Sequence, residues 1–368
     1  MSEKGCCTPE SSSCCSASCC EPPLLTQYDK KRDKWVSSEL KTAAGRVPVI
    51  AGRLSAFDKL GTLKVRLGIG RMNYAIAPGL YAVGSPTGLS PVLVSANYKL
   101  TFDTLRKELA GLSCWLLILD TNGINVWCAA GKGTFSTKEL VKRVEACGLN
   151  SIVSHRRLIL PQLGAPGISA HEVSRQTGFS ICYGPVRAED IKAFLHAGNI
   201  ATEEMRTVRF TLRDRAVLTP VELIAAAKKS LLVFGVLFLL NLFAARPFGL
   251  YDFFAYTAAV LVGTVATPIL LPFIPGRAFA FKGWLLGAVV TALLVWLFGW
   301  FSAPFLLLAV GYMLALPALA AFLAMNFTGS STYTSFSGVI KEMKAAVPLT
   351  LCAGTLGSVL VLLKALTG

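Results

Sequence analysis

The residues with chemistry to offer are one run, Asn125-Val126-Trp127-Cys128-Ala129-Ala130-Gly131-Lys132-Gly133, and six cysteines in pairs, Cys6-Cys7, Cys14-Cys15 and Cys19-Cys20. In the run, Asn125 is a good N-cap and Gly131 and Gly133 are good stops. Val126–Gly131 therefore reads as about a turn and a half of helix with Cys128 near its start. The dipole of such a helix favours an anionic sulfur, and a thiolate held in this way is suited to ligate a metal from one side.

The cysteine pairs sit in a Ser-rich stretch without an apolar core, which reads as disordered and not as an export signal. Adjacent cysteines do not fit zinc or iron–sulfur spacing, where intervening residues let several sulfurs converge. They do concentrate soft thiolates, so capture or hand-off of a thiophilic metal ion is one reading and a dispensable tail is the other. Unchanged activity at limiting metal after changing all six to Ser would remove the capture reading.

Rival readings of the run fail on spacing. A phosphate-binding loop needs Ser or Thr directly after its Lys and Gly five residues before the second Gly, and here those positions are Gly133 and Val126. A nucleophilic cysteine wants a histidine partner, and His155, His171 and His196 lie in no such signature. Cys114, Cys147 and Cys182 read as core, because an isolated cysteine is most often buried.

The elements that must position Cys128 are short apolar runs bounded by turn residues: Val92–Ser95, Trp115–Leu119, Leu158–Leu160 and Phe179–Cys182. Helix-like segments, Phe102–Ala110, Ser136–Cys147 and Glu189–Leu195, separate them. That alternation predicts crossover units and a mainly parallel sheet, an α/β Rossmann-like domain. Ligands of such sheets bind off the C-terminal strand ends, which nominates the loops 96–98, 120–133, 161–167 and 183–185. Their small residues admit a bulky planar ligand. From them Asn97, Gln162, Gly167 and Gly184 join Asn125 through Lys132 as candidate cofactor contacts.

Beyond Lys229 the composition changes. The first 229 residues carry 30 of the 36 basic and 19 of the 21 acidic side chains, leaving only 6 and 2 for the rest. Five apolar stretches follow, Ser230–Ala245, Phe253–Phe273, Gly283–Phe301, Pro304–Phe327 and Val347–Leu366, each near the ~20 residues that cross hydrocarbon. Thr219-Pro220-Val221-Glu222 has the form of a capping box that starts the first. The predicted division is a disordered tail and linker over 1–45, a cytoplasmic α/β domain over 46–218 and an all-α transmembrane domain of five helices over 219–368. Lys228, Lys229, Arg277, Lys282, Lys341 and Lys344 on one side outweigh Arg246 and Lys364 on the other, which puts the N-terminal domain on the cytoplasmic side of the inner membrane. No ionisable group lies well inside a stretch, so anchoring is favoured over transport. Basic runs and recognition motifs for nucleic acid are missing, and the positive excess suits lipid headgroups.

Residues 91–197, with Pro91 to Lys99, the Asn125–Gly133 run, Leu160 to Gly167 and Tyr183-Gly184-Pro185-Val186-Arg187, resemble the cobalamin-binding domain of the large subunit of the corrinoid iron–sulfur protein of acetyl-CoA synthesis. Fused to a membrane anchor, such a domain resembles the mercury-methylating corrinoid proteins, whose hallmark is the Asn-Val-Trp-Cys-Ala-Ala-Gly-Lys segment; the tail of cysteine pairs departs from that pattern. The resemblance implies that Cys128 is the lower axial ligand of the cobalt of cobalamin, with Asn125, Val126, Trp127, Ala129, Ala130, Gly131 and Lys132 around the corrin. It implies methyl transfer to inorganic Hg(II) from cysteine-ligated methylcobalamin, or, as the alternative, carriage of methyl to another acceptor of one-carbon metabolism. It also implies a methyl donor derived from methyltetrahydrofolate and a ferredoxin-like electron donor with two four-iron four-sulfur clusters.

Overall fold

In the computed structural model, which describes residues 22–331 and 336–368, the N-terminal half is built on one seven-stranded sheet. Its strands are β1 (Val36–Lys41), β2 (Arg46–Ile50), β3 (Gly79–Val83), β4 (Val92–Ala96), β5 (Cys114–Leu119), β6 (Arg157–Leu160) and β7 (Ser180–Tyr183). The order across the sheet is β1-β2-β3-β5-β4-β6-β7. The expected parallel unit is present as β5-β4-β6-β7. The sheet as a whole is mixed, because β3 runs antiparallel to β5 and β1 antiparallel to β2. Taken in chain order, the four parallel strands run second, first, third, fourth, the flavodoxin-like arrangement with its switch point between β4 and β6.

Both faces of the sheet are covered, so its central strands are apolar throughout, as parallel strands must be. Alternation divides the side chains: Val92, Val94, Trp115, Leu117 and Leu119 enter one core and Leu93, Leu116 and Ile118 the other. The helices here are α1 (Ala56–Arg66), α2 (Lys99–Glu108), α3 (Val126–Gly131), α4 (Thr137–Ala146), α5 (Leu149–Ile152), α6 (Ala170–Thr177), α7 (Ile191–His196) and α8 (Glu203–Arg206).

β1 falls inside the 1–45 stretch expected to be disordered. Three contacts explain why that stretch folds from residue 22 on: Trp35 packs on Tyr81 and Phe102, with ring centroids 5.6 and 4.7 Å away; Thr26 donates to the Leu80 carbonyl at 2.7 Å; and Leu24 bridges to Arg46. The paired cysteines 6, 7, 14, 15, 19 and 20 lie outside the described residues.

The chain divides into two compact units, one running to Lys59 and from Met72 to Thr207, the other comprising Leu60–Arg71 and Val208–Gly368. The second contains residues 60–66 of α1, with α9 (Leu212–Leu240), α10 (Leu250–Leu261), a π-helical turn at Val262–Ala266, α11 (Thr267–Leu270), α12 (Phe279–Leu297), α13 (Leu306–Asn326) and α14 (Phe336–Thr367). Five helical stretches, Leu212–Leu240, Leu250–Leu270, Phe279–Leu297, Ala303–Gly329 and Ser337–Thr367, are long and apolar enough to cross a membrane.

The first begins earlier than the sequence suggested. Thr211 and Asp214, not Thr219 and Glu222, form the capping box, and the Thr219 hydroxyl instead donates to the Ala216 carbonyl within the helix. Pro220 is therefore an interior helix residue. Glycines set the packing on α13: a Cβ at Gly283 would come within 2.5 Å of Ala324 Cβ, and one at Gly357 within 2.5 Å of the Gly311 carbonyl. Asp252, the third residue of α10, is buried, where it accepts from the Tyr312 hydroxyl at 2.7 Å and from Arg246.

Candidate functional site

Cys128 stands on α3, in the loop that leaves the C-terminal end of β5, and the path of that loop is fixed from β4. The Asn97 side chain is 4 % exposed and its oxygen accepts from the backbone amides of Thr121 and Gly123, each at 3.0 Å. Its amide donates to Asp120 at 3.1 Å. The Thr121 hydroxyl donates to the Ile124 carbonyl at 2.7 Å. Asn122 and Gly123, with φ of 56° and 69°, make the left-handed corner that turns the chain back. On the far side, the Asp120 amide donates to Glu139 at 3.0 Å, and Arg143 holds that carboxylate at 2.6 Å.

The helix then forms as the sequence predicts. Asn125 is its N-cap, in extended conformation, and its side-chain oxygen accepts from the Cys128 amide at 2.9 Å. Lys132 closes it, its amide donating to the Cys128 carbonyl at 3.0 Å, and Gly133 turns away at φ +75°. The amides of Thr134 and Phe135 then both reach the Ala129 carbonyl.

Orientation divides the residues of the run. Val126, Ala129 and Ala130 are buried in the sheet core and seat the helix. Trp127, Gly131 and Lys132 face outward, and Cys128 is half-buried. The seat extends to the loop after β6, where a 3-10 helix spans Gln162–Gly167. A Cβ at Gly167 would lie 3.3 Å from Ala130 Cα, and one at Gly164 would lie 2.6 Å from the Phe135 ring. Thus α3, carried by β5, leans on the loop of β6 and spans the switch point.

Among the expected contacts, Asn97 is turned inward and holds the loop, and the missing side chain of Gly167 serves packing against Phe135 and Ala130. Gln162 is half-buried and accepts from Arg206 at 3.4 Å, and Gly184 is buried where its amide extends the β6–β7 ladder to the Leu160 carbonyl. The residues that sequence reasoning missed are Thr121 and Phe135. Their only signals were a hydroxyl next to a strand end and a lone aromatic after Gly133.

The other cysteines differ in setting. Burial pushes the Cys114 thiol up to about 12 and that of Cys147 to about 11, which leaves both as neutral core residues. Cys182 is half-buried on β7, and its thiol faces the Asn199 carbonyl at 3.9 Å. His155 is occupied locally, with Nε2 2.9 Å from the Ser90 carbonyl and Nδ1 accepting from the Arg157 amide.

Among the described residues, no group of three or more His, Cys, Asp or Glu is placed to hold a metal ion. Cys128 thus offers one donor atom where a bare ion needs several. A single sulfur beyond the C-terminal end of an interior strand fits a metal that brings its other ligands with it, as the metal of a corrinoid does.

The region that carries this site matches known proteins. Residues 60–195 match the family described as CO dehydrogenase/acetyl-CoA synthase delta subunit. Subunit gamma of the acetyl-CoA decarbonylase/synthase complex of Methanocaldococcus jannaschii is 33 % identical over 127 residues, which cover 34 % of this chain and 26 % of that protein. The Methanopyrus kandleri subunit is 32 % identical over 122 residues, 33 % and 26 % of the two chains. Subunit gamma 2 of Methanosarcina mazei is 38 % identical over 99 residues, 26 % and 21 %. The chain spans about a quarter of the length of these curated relatives. The family match contains all four strand-end loops, and so agrees with the resemblance to the cobalamin-binding domain of acetyl-CoA synthesis drawn from the motifs.

Proposed function

We propose that this chain is a membrane-anchored corrinoid protein in which Cys128 ligates the cofactor metal from below and which passes a methyl group to inorganic Hg(II). The observation that carries the reading is the half-buried thiol of Cys128 on a capped, core-seated helix across the switch point of the sheet, in no group of three or more metal-binding side chains among the described residues. When bound, a corrinoid would supply the methyl group, and an anionic sulfur from Cys128 would enrich its metal in electrons, which favours giving methyl to Hg(II) together with its electron pair.

The protein's part is placement. Asn125 fixes the amide of Cys128, and Ala129 and Ala130 fix the height of the helix on the core. Asn97 fixes the loop that delivers the helix. Trp127, exposed beside the thiol, offers a flat apolar surface to the lower side of the macrocycle, and Lys132 offers a cation to its polar side chains. A methyl donor derived from methyltetrahydrofolate and a ferredoxin-like partner with two four-iron four-sulfur clusters complete the proposed cycle. The five apolar helices anchor the domain on the cytoplasmic face of the membrane.

A specific observation keeps a second reading: the relatives matched are subunits of an acetyl-CoA complex, and methyl carriage to another one-carbon acceptor uses the same residues. The test is anaerobic incubation of the cobalamin-loaded protein, supplied with methyl, with Hg(II), following the cofactor absorbance and methylmercury together beside Cys128→Ala. Methylmercury from the wild type alone, with a spectrum in which the benzimidazole base that free cobalamin carries as its own ligand is displaced, supports the first reading. A displaced base without methylmercury moves the assignment to the second, and a spectrum indifferent to Cys128→Ala overturns both.

A further inference from the structure

Helix α1 presents its apolar side to solvent. At helical spacing Phe57, Leu60 and Leu63 share one face, and they are 76 %, 48 % and 53 % exposed, whereas Asp58 and Val65 on the opposite face are buried. Ile69 and Met72 continue the exposed apolar surface past the helix end. A helix of a soluble domain is arranged the other way, with its polar face outward. Exposed contiguous apolar surface of this kind marks an interaction site.

The charges around the face say what it meets. Between Arg53 and Arg71 the chain carries five cations, Arg53, Lys59, Lys64, Arg66 and Arg71, and one carboxylate, Asp58. Asp58 is turned inward, 2.9 Å from Lys99 and 2.7 Å from Arg106. None of the five cations forms an ion pair among the described residues. Lys34 adds a sixth positive charge 5.6 Å from the Phe57 ring. An apolar stripe bordered by unpaired lysine and arginine is the pattern of helices that lie in a bilayer interface, with the stripe in the acyl boundary and the cations at anionic headgroups. The same chain carries helices long and apolar enough to cross a bilayer, the first of them Leu212–Leu240.

We propose that α1 is an interfacial membrane helix, inserting Phe57, Leu60 and Leu63 among anionic lipids. The full-length protein in nanodiscs, with a photoreactive benzoylphenylalanine at position 57 or 63, tests this, with position 107 as control because the Lys107 side chain is 64 % exposed on α2. Lipid adducts are expected at 57 and 63 and not at 107. They should rise severalfold when zwitterionic nanodiscs are given phosphatidylglycerol, and fall again with Lys59→Glu/Lys64→Glu/Arg66→Glu, whose melting temperature should match the wild type because all three side chains are exposed. Cross-links to protein alone, or adduct yields indifferent to lipid charge, would overturn the proposal.

Discussion

Asn97 and Thr121 stand at the ends of neighbouring parallel strands, and the side-chain oxygen of the first accepts the backbone amide of the second at 3.0 Å. Through that bond and the one to Gly123, a buried residue of β4 governs a thiol on the loop of β5. Asn97→Ala strands two buried donors, at a cost on the order of 1–3 kcal/mol. The expected result is a lower melting temperature together with weaker cobalamin binding. Asn97→Asp keeps the acceptor but sets a second carboxylate against Asp120, and should fall between Ala and the wild type.

Cys128→Ala should abolish thiolate ligation and methyl transfer while leaving the folding stability of the cofactor-free protein within about 0.5 kcal/mol of wild type, because a half-exposed side chain contributes little packing. Cys128→His should retain cofactor with reduced activity, since neutral imidazole donates less charge than thiolate. Absorbance spectra and turnover, measured side by side, check both.

Ala129→Pro removes the amide that donates to the Asn125 carbonyl at 2.9 Å and breaks the seat of α3. It should cost about 3 kcal/mol or more. Ala129→Gly, which keeps that hydrogen bond, should bind cofactor nearly as well as wild type. If the proline variant binds cobalamin through Cys128 normally, the helix is not what holds the sulfur.

A pH dependence follows from Asp58. Burial pushes its carboxyl up, but hydrogen bonds from Lys99, Ser55 and Arg106 outweigh it and hold the group well below the usual carboxylate range. A carboxyl lowered on folding stabilises the protein fully above its unfolded value, about 3.9, and that contribution is lost as the pH falls from there toward the folded value. Chemical denaturation between pH 7 and pH 3 should therefore show Asp58→Asn to be less stable than wild type at pH 7, with the gap closing on the acid side.

Thiol accessibility gives another check. In a variant with the six tail cysteines changed to Ser, iodoacetamide should label exposed Cys352 first, then half-buried Cys128 and Cys182, and should reach Cys114 and Cys147 only on unfolding, as their burial requires. Mass spectrometry of timed digests reads the order directly.

The sequence was legible where local signals and fold agreed. The four parallel strands, the Asn125 cap and the two glycines after Cys128 are short-range features, and each appears where the pattern put it. β1, β2 and β3 were missed for physical reasons. β1 is a partly exposed outer strand with a polar pattern, β2 carries Pro48, and β3 is only five residues, so none gives a clear alternation. Thr219 to Glu222 has a capping-box sequence but lies eight residues into a helix that another box had already begun at Thr211. Asn97 looked like a ligand contact because it ends a strand. That its amide turns inward depends on Thr121 and Gly123, 24 and 26 residues away, which no local pattern reports.

The lone sulfur that α3 offers also determines which mistakes the domain can make. A protein that gathers four side chains around an ion must compete for the right element, because affinity order favours copper and zinc over cobalt at most such sites. Among the described residues, Cys128 belongs to no group of three or more side chains that could enclose zinc or copper. With a corrinoid as the proposed cofactor, the choice of element would be made elsewhere, when the macrocycle is built, and this chain would need only to recognise the finished ring.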